Sequence, residues 1–151
     1  MEYLEYMSEE SVVLLKERRK TEVIIELAAL AAELGAVNDA DDLAEKLFYR
    51  EQLMSTGLGL GIGLPHVRYE GLRRPLVLMG LQPEGVEDYD SLDNVTVRIV
   101  VMILVGPDEH RLHVRLMSQL VGWLKEESVR ERLLASKDPA EAWSLLSGSA
   151  E

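Results

Sequence analysis

The chain reads Ser-Thr-Gly-Leu-Gly-Leu-Gly-Ile-Gly-Leu-Pro-His over residues 55–66, with glycine alternating with a branched apolar residue. A period of two residues predicts a β-strand, and glycine at every second position leaves one face bare, so that another backbone or a ligand can approach. Pro65 is expected to end the strand because it has no N–H to donate. His66, which follows, is the residue type whose unperturbed pKa lies near neutral pH. The stretch therefore predicts a strand that presents a reactive imidazole at its end.

The length and the charge of the chain limit what the protein does. Its 151 residues suit one domain, 1–151, with a core expected from about residue 11 to residue 146. The net charge is −11, and residues 1–50 carry 12 acidic and 6 basic groups. We therefore expect no nucleic-acid partner, since a phosphate backbone needs a basic patch. An acidic surface suits a basic protein partner or simply keeps the protein in solution.

Composition also points to a cytoplasmic protein. The longest apolar run, residues 99–105, is too short to span a bilayer, so no membrane insertion is expected. The first five residues are acidic and lack the basic segment of a secretory signal. The chain has no cysteine, which excludes both disulfides and a thiol nucleophile.

Helical periodicity and turn residues divide the rest of the chain. A helix is predicted over residues 21–34, where Gly35 supplies the stop, and a second one after the capping residues Asp39–Asp42. Further helices are predicted over residues 109–125 and from Asp138, where Asp-Pro-Ala-Glu is a favourable start. Strands are predicted at residues 11–15, 75–81 and 95–105, with a turn at 82–85.

The run at residues 95–105 is β-branched and nearly all apolar, which indicates a strand covered on both faces. The order is two helices, three strands and two helices. It predicts an α/β fold with a small, mostly mixed central sheet flanked by helices on both faces.

The three histidines are the first candidates for chemistry. His66 lies at a predicted strand end, where a reactive group is held rigidly and exposed. His113 lies on the apolar stripe of its helix, which is more typical of a core histidine, and His110 is expected to be exposed or to cap that helix. The three together are an alternative zinc site. The chain has no cysteine, and no carboxylate stands at a recognisable ligand spacing, so we expect no metal.

Phosphate chemistry is the second possibility. Arg50 offers a planar, permanently charged fork that suits phosphate, although a helix arginine also commonly pairs with nearby acids. The glycines at 59–63 do not form a dinucleotide-binding motif, because Pro65 stands where a helix would have to begin. A nucleotide-binding P-loop is excluded, since the stretch contains no Gly-Lys-Ser/Thr.

Four segments, in the right order, carry a resemblance to a known family. They are Arg50–Glu51, Ser55–Gly57, Gly61–His66 and the helix segment His113–Leu120. The chain resembles the IIA domains of the bacterial phosphotransferase system, of the fructose, mannitol and nitrogen-regulatory type. The resemblance extends over residues 11–146 and implies the phosphotransferase/anion transport protein-like fold.

Three positions depart from the family pattern. Gly63 replaces the usual alanine, Leu64 replaces isoleucine, and Val114 replaces leucine. None of these changes removes a candidate phosphate ligand.

The resemblance implies a mechanism that needs no cofactor and no metal. His66 would accept a phosphoryl group from the phosphohistidine of an HPr-like carrier and pass it to a cysteine of a IIB partner. Arg50 would neutralise the phosphoryl oxygens, His113 would lie against His66 and hydrogen-bond the group, and Ser55 and Thr56 would also bind phosphate. The bare glycine face would let the helix of His113, or the partner, approach His66 closely.

Two functions follow from the resemblance. One is a phosphocarrier in sugar uptake. The other is a nitrogen-regulatory module that binds target proteins according to its phosphorylation state, which a chain of 151 residues without a fused IIB or IIC segment fits at least as well. A homodimer is also possible within the family. A degenerate binding domain that is never phosphorylated is disfavoured, because Arg50, His66 and His113 are present together.

Overall fold

Two long apolar strands lie side by side in the middle of a six-stranded mixed sheet. The computed structural model describes residues 1–148. Within them the strands are β1 (Val12–Leu14), β2 (Gly57–Gly59), β3 (Ile62–Gly63), β4 (His66–Arg68), β5 (Leu76–Val86) and β6 (Val97–Val105). The helices are α1 (Lys20–Glu33), α2 (Ala40–Leu53), α3 (His110–Leu124), α4 (Glu127–Leu134) and α5 (Pro139–Ser147), and two 3-10 turns, Glu2–Tyr6 and Glu9–Ser11, precede β1. The strand order is β1-β5-β6-β3-β2, and β4 also pairs with β6.

The central strands β5 and β6 are antiparallel and buried on both faces. Because successive side chains of a strand point to opposite faces, Leu78 and Met102 pack on one side of the sheet. Met79 and Val101 pack on the other side. Burial of each such side chain stabilises the fold by about 1.5–3 kcal/mol. The predicted fold class, a small mixed sheet between two helical layers, is confirmed.

The two helical layers form from different parts of the chain. Apolar residues of α1 and α2 cover one face of the sheet, and those of α3, α4 and α5 cover the other. The side chain of Asp39 caps α2 by accepting from the backbone N–H of Asp42 at 3.0 Å. Asp138 caps α5 in the same way, with Glu141 as the donor at 2.8 Å. The helix α4 is not predicted from the sequence; it is short and polar, and among its residues only Leu133 is buried.

The glycine-rich stretch is a hairpin and not one strand, so the period-two prediction is wrong. β2 and β3 pair antiparallel, with Gly57 opposite Gly63. The chain turns at Leu60 and Gly61, which have φ angles of +58° and +78°. A two-residue hairpin turn of this kind requires positive φ at both central positions. Glycine adopts that conformation without a steric penalty, whereas Leu60 is held in it by the hairpin.

Strand pairing continues past Pro65, which corrects the expectation that proline ends it. Ile62 pairs with Ile99, and His66 pairs with Ile103, so the parallel register along β6 is the same before and after the proline. The missing N–H is not needed here, because Pro65 takes part through its carbonyl, which accepts from Ile103 at 3.1 Å. His66 is thereby fixed to the central strand of the sheet.

The glycines of the hairpin admit a neighbouring loop and not the helix of His113. A Cβ atom on Gly57 would lie 2.0 Å from the carbonyl oxygen of Asp90, and one on Gly63 would lie 2.7 Å from the ring of Tyr89. Gly59 faces the side chain of Asp93. The expectation that the bare glycine face brings α3 or a partner close to His66 is therefore wrong. The face makes room for residues 89–96.

The turn predicted at residues 82–85 is also wrong, since β5 continues through it. The pairing of β5 with β6 shifts register between Leu81 and Val86, and Gly85 has a φ of +93°. Pro83 is tolerated because β1, the other neighbour of β5, pairs only as far as Leu81. β1 itself is confirmed as a short edge strand.

The core begins before residue 11, because Tyr3 and Met7 are buried against α3 and the sheet. Within residues 1–148, the structure contains no helix that is both long enough and apolar enough to cross a membrane.

Candidate functional site

Three elements meet at β4. This strand pairs with the last three residues of β6, from His66↔Ile103 to Arg68↔Val105. The chain leaves β6 at Gly106 and starts α3 at His110, so the first turn of α3 lies beside β4. The ring of His113 consequently lies 4.6 Å from the ring of His66, centroid to centroid. α2, which carries Arg50, packs along the same strand.

A backbone contact fixes the tautomer of His66. Its Nδ1 lies 2.7 Å from the carbonyl oxygen of Leu64. A carbonyl can only accept, so Nδ1 must carry the proton. In the neutral ring Nε2 then has a free lone pair, which makes it the nucleophilic nitrogen.

His66 and His113 both favour the neutral form. Burial lowers the pKa of His66, and the charge of Arg50 lowers it as well, while the hydrogen bond to Leu64 and the charge of Glu51 oppose the shift. Burial, together with His66, His110, Arg68 and Arg50, lowers the pKa of His113 to about 4. Two imidazoles that both became cationic at this separation would repel each other. At neutral pH the pair is therefore uncharged.

These histidines line an open cleft of about 380 Å³. Its polar lining is basic, consisting of Lys46, Arg50, His66, Arg68, His110 and His113. Tyr49, Leu53 and Val67 complete it. No carboxylate of residues 1–148 lines this cleft, although the whole chain carries a net charge of −11. The cleft is thus suited to an anion.

Two guanidinium groups in the cleft have no partner among residues 1–148. Lys46 forms an ion pair with Asp42 at 3.4 Å. Arg50 and Arg68 form neither a hydrogen bond through their side chains nor an ion pair with any residue that the structure describes. Their charges are therefore available to a ligand.

Glu51 anchors the end of α2. Its carboxylate is 7% exposed and pairs with the ammonium of Lys20 at 2.6 Å. It also accepts from the backbone N–H of Thr56 at 3.1 Å and from the Thr56 hydroxyl. Lys20 in turn lies 4.5 Å above the ring of Tyr89. This buried network ties the last turn of α2, and with it Arg50, to the start of the hairpin.

Ser55 and Thr56, predicted as phosphate ligands, do not line the cleft. The Thr56 hydroxyl is buried between Glu51 and Tyr89. The Ser55 hydroxyl donates to the carbonyl of Asp90 at 2.7 Å. The structure thus brings together His66, His113 and Arg50 and gives the two hydroxyls structural partners instead.

Sequence reasoning missed Arg68, Lys46 and Tyr49 as residues of this cleft. Lys46 stands four residues before Arg50 on α2, so helical spacing could have placed it on the same face. No comparable pattern in the sequence indicated Arg68, because the strand that carries it was not predicted. Among the described residues, no group of three or more His, Asp or Glu side chains is arranged to hold a metal ion.

Comparison with solved structures defines the class of protein. The fold matches that of the nitrogen regulatory protein IIA-Ntr from Neisseria meningitidis with a TM-score of 0.82 and 28% identity, covering 94% of this chain and 97% of that one. It also matches the mannitol enzyme IIA from Escherichia coli, solved in a complex with phosphorylated enzyme IIB. The TM-score is 0.79 and the identity 26%, covering 94% of this chain and 97% of that one. The fold is therefore that of a phosphotransferase-system IIA protein.

The sequence places the chain within one family of that class. The family described as "Phosphoenolpyruvate-dependent sugar phosphotransferase system, EIIA 2" matches residues 5–149, and the chain belongs to it. A fructose-specific EIIA component from Haloferax volcanii is 35% identical over 111 residues, which is 74% of this chain and 71% of that protein. A nitrogen regulatory protein from Pseudomonas aeruginosa is 34% identical over 114 residues, or 76% and 73%. Proteins of this family are phosphotransfer components, and both functions suggested by the resemblance fit it.

Proposed function

We propose that Nε2 of His66 accepts a phosphoryl group from the phosphohistidine of an HPr-like carrier and passes it to a cysteine of a IIB partner. The observation that carries this proposal is the hydrogen bond from Nδ1 to the Leu64 carbonyl, at 2.7 Å, which leaves Nε2 unprotonated. The solved complex between a IIA protein and phosphorylated IIB supports a partner of the second kind. All three proteins would meet in the cytoplasm.

Each transfer is a displacement at phosphorus. The lone pair of Nε2 forms a bond to phosphorus while the nitrogen–phosphorus bond of the donor breaks, and that electron pair returns to the donor imidazole. In the second transfer the thiolate of the partner forms the sulfur–phosphorus bond, and the electron pair of the breaking bond returns to Nε2. Because such transition states are loose, positioning and charge neutralisation supply most of the catalysis.

The cleft provides both positioning and charge neutralisation. Arg50 lines it with no competing carboxylate from residues 1–148 and would bind the phosphoryl oxygens with charge-assisted hydrogen bonds. His113 lies 4.6 Å away from His66 between ring centroids. The neutral imidazole of His113 carries one N–H, which would donate a hydrogen bond to the phosphoryl group.

Intact-mass analysis tests the proposal. The protein is incubated with phosphoenolpyruvate, enzyme I and HPr, and we expect one acid-labile phosphoryl group on the wild type and none on His66→Ala. His110→Ala is the matched control and should be labelled, because it removes an exposed histidine of the same cleft. Labelling that survives in His66→Ala would overturn the assignment.

A regulatory role is the second candidate, favoured by the nitrogen regulatory protein that is 34% identical. In that role the charge of the phosphoryl group switches the docking of a target protein. Addition of a sugar-specific IIB domain separates the two functions. Rapid loss of the label to IIB supports transport, whereas a stable label together with phosphorylation-dependent binding of a target supports regulation.

A further inference from the structure

We propose that Arg68 is a second phosphoryl-binding residue, which binds the group on His66 together with Arg50. This inference rests on the function proposed above. It adds a ligand that the family motifs did not indicate.

The position of Arg68 follows from strand geometry. It stands two residues after His66 on β4, and both residues are held in parallel register on β6, opposite Ile103 and Val105. Side chains two residues apart on a strand leave the same face. Arg68 and His66 accordingly line the same cleft, which Arg50 enters from α2.

The guanidinium of Arg68 lies near the histidine pair and forms no ion pair with residues 1–148. It is one of the groups that lower the pKa of His113, so its field reaches the histidine pair. Several other arginines of this acidic chain are engaged. Arg19 pairs with Asp88, and Arg115 pairs with Glu2. Arg68 makes no such contact within residues 1–148, so no competing anion of the described chain has to be displaced when a ligand arrives.

The charge balance of the phosphorylated cleft requires more than Arg50. A phosphoryl group carries a charge of about −1.5 to −2 at neutral pH, and one guanidinium compensates only half of the larger value. A neutral His113 adds no positive charge. Lys46 is already paired with Asp42, so Arg68 supplies the second available cation, from a rigid strand.

The equilibrium constant of phosphoryl transfer distinguishes this role from a docking contact. A residue that only touches the carrier changes the rate of transfer in both directions. The equilibrium between phosphorylated carrier and phosphorylated His66 changes only if the residue stabilises one of the two end states. We expect Arg68→Ala to shift the equilibrium about five- to tenfold toward the carrier, as expected for the loss of a partly solvent-screened, charge-assisted hydrogen bond.

Two variants control the experiment. Arg111→Ala removes an exposed arginine that lies near the cleft, in the first turn of α3, but does not line it. It should leave the equilibrium within about twofold, since a screened surface charge contributes little. Arg68→Lys should recover part of the wild-type equilibrium, because an ammonium also binds phosphate, as a point charge. Circular dichroism confirms that each variant is folded.

The results separate the two proposals. If wild-type His66 takes up no phosphoryl group, the proposed function fails and this inference fails with it. If His66 is phosphorylated and Arg68→Ala changes only the transfer rate, Arg68 contacts the carrier and the inference is overturned. An unchanged rate and an unchanged equilibrium would show a solvated side chain and would overturn it as well.

Discussion

Acidification should destabilise this protein through His113. The residue is 7% exposed, its buried Nδ1 has no hydrogen-bond partner in the part of the chain that the structure describes, and its pKa is lowered to about 4. In the unfolded chain the pKa of a histidine is about 6.5. As the pH falls from 6.5 toward 4, the unfolded chain binds a proton that the folded protein does not, so the free energy of unfolding decreases. Below the folded pKa both states are protonated and the loss stops.

The two pKa values set the magnitude. Between pH 7 and pH 5 the difference in proton binding lowers the free energy of unfolding by about 2 kcal/mol. Other groups also bind protons in acid, so the contribution of His113 is the part of the acid loss that disappears when His113 is replaced. Urea unfolding of the wild type and of His113→Gln at pH 7 and pH 5 measures this part directly.

The neighbouring histidine supplies the control. The charge of His66 is one of the causes of the lowered pKa of His113, so His66→Gln should reduce the acid loss without abolishing it. Equal acid losses in the wild type and in His113→Gln, within about 0.5 kcal/mol, would refute the argument, because that is the ordinary error of additivity. The cleft would then not hold His113 in its neutral form.

Three further predictions concern stability, and urea unfolding measures each of them. Glu51→Ala should cost about 3 kcal/mol, because it leaves the half-buried ammonium of Lys20 without its carboxylate. The double variant with Lys20→Met should lose less than the sum of the two single losses, and strict additivity would show that the pair is not coupled. Gly63→Ala should cost about 1–3 kcal/mol, since the new methyl group would lie 2.7 Å from the ring of Tyr89. Tyr89→Leu should remove most of that penalty, and an equal penalty in both backgrounds would count against the steric explanation. Asp138→Ala should cost about 1 kcal/mol through loss of the cap of α5, and no loss would mean that the cap contributes nothing.

The sequence predicted the elements whose patterns are local. The apolar run that forms β6 and the caps at Asp39 and Asp138 are visible in a few neighbouring residues, and the structure confirms them. The hairpin was missed because nothing about Leu60 indicates a positive φ. The pairing of β2 with β3 imposes that conformation on Leu60. A hydrogen bond from the Leu60 N–H to the side chain of Asp93, 33 residues later, imposes it as well.

The residues of the candidate site also differ in whether the local sequence could predict them. His66, His113 and Arg50 stood in recognisable motifs, and the structure brings all three to one cleft. The proximity of His113 to His66 depends on the pairing of β4 with β6, which no local pattern shows. Arg68 depends on the same pairing. Gly63 has a physical explanation only in three dimensions, because the ring of Tyr89 fills the space that an alanine side chain would need.

The state of the two nitrogens of His66 tests the central claim most directly. Long-range ¹H–¹⁵N NMR of the imidazole groups, recorded before and after incubation with phosphoenolpyruvate, enzyme I and HPr, observes each nitrogen separately. We predict that Nδ1 of His66 carries the proton in the free protein and that the phosphoryl group is bonded to Nε2 afterwards. A proton on Nε2 in the free neutral protein, or a phosphoryl group on Nδ1 or on His113, would contradict the account.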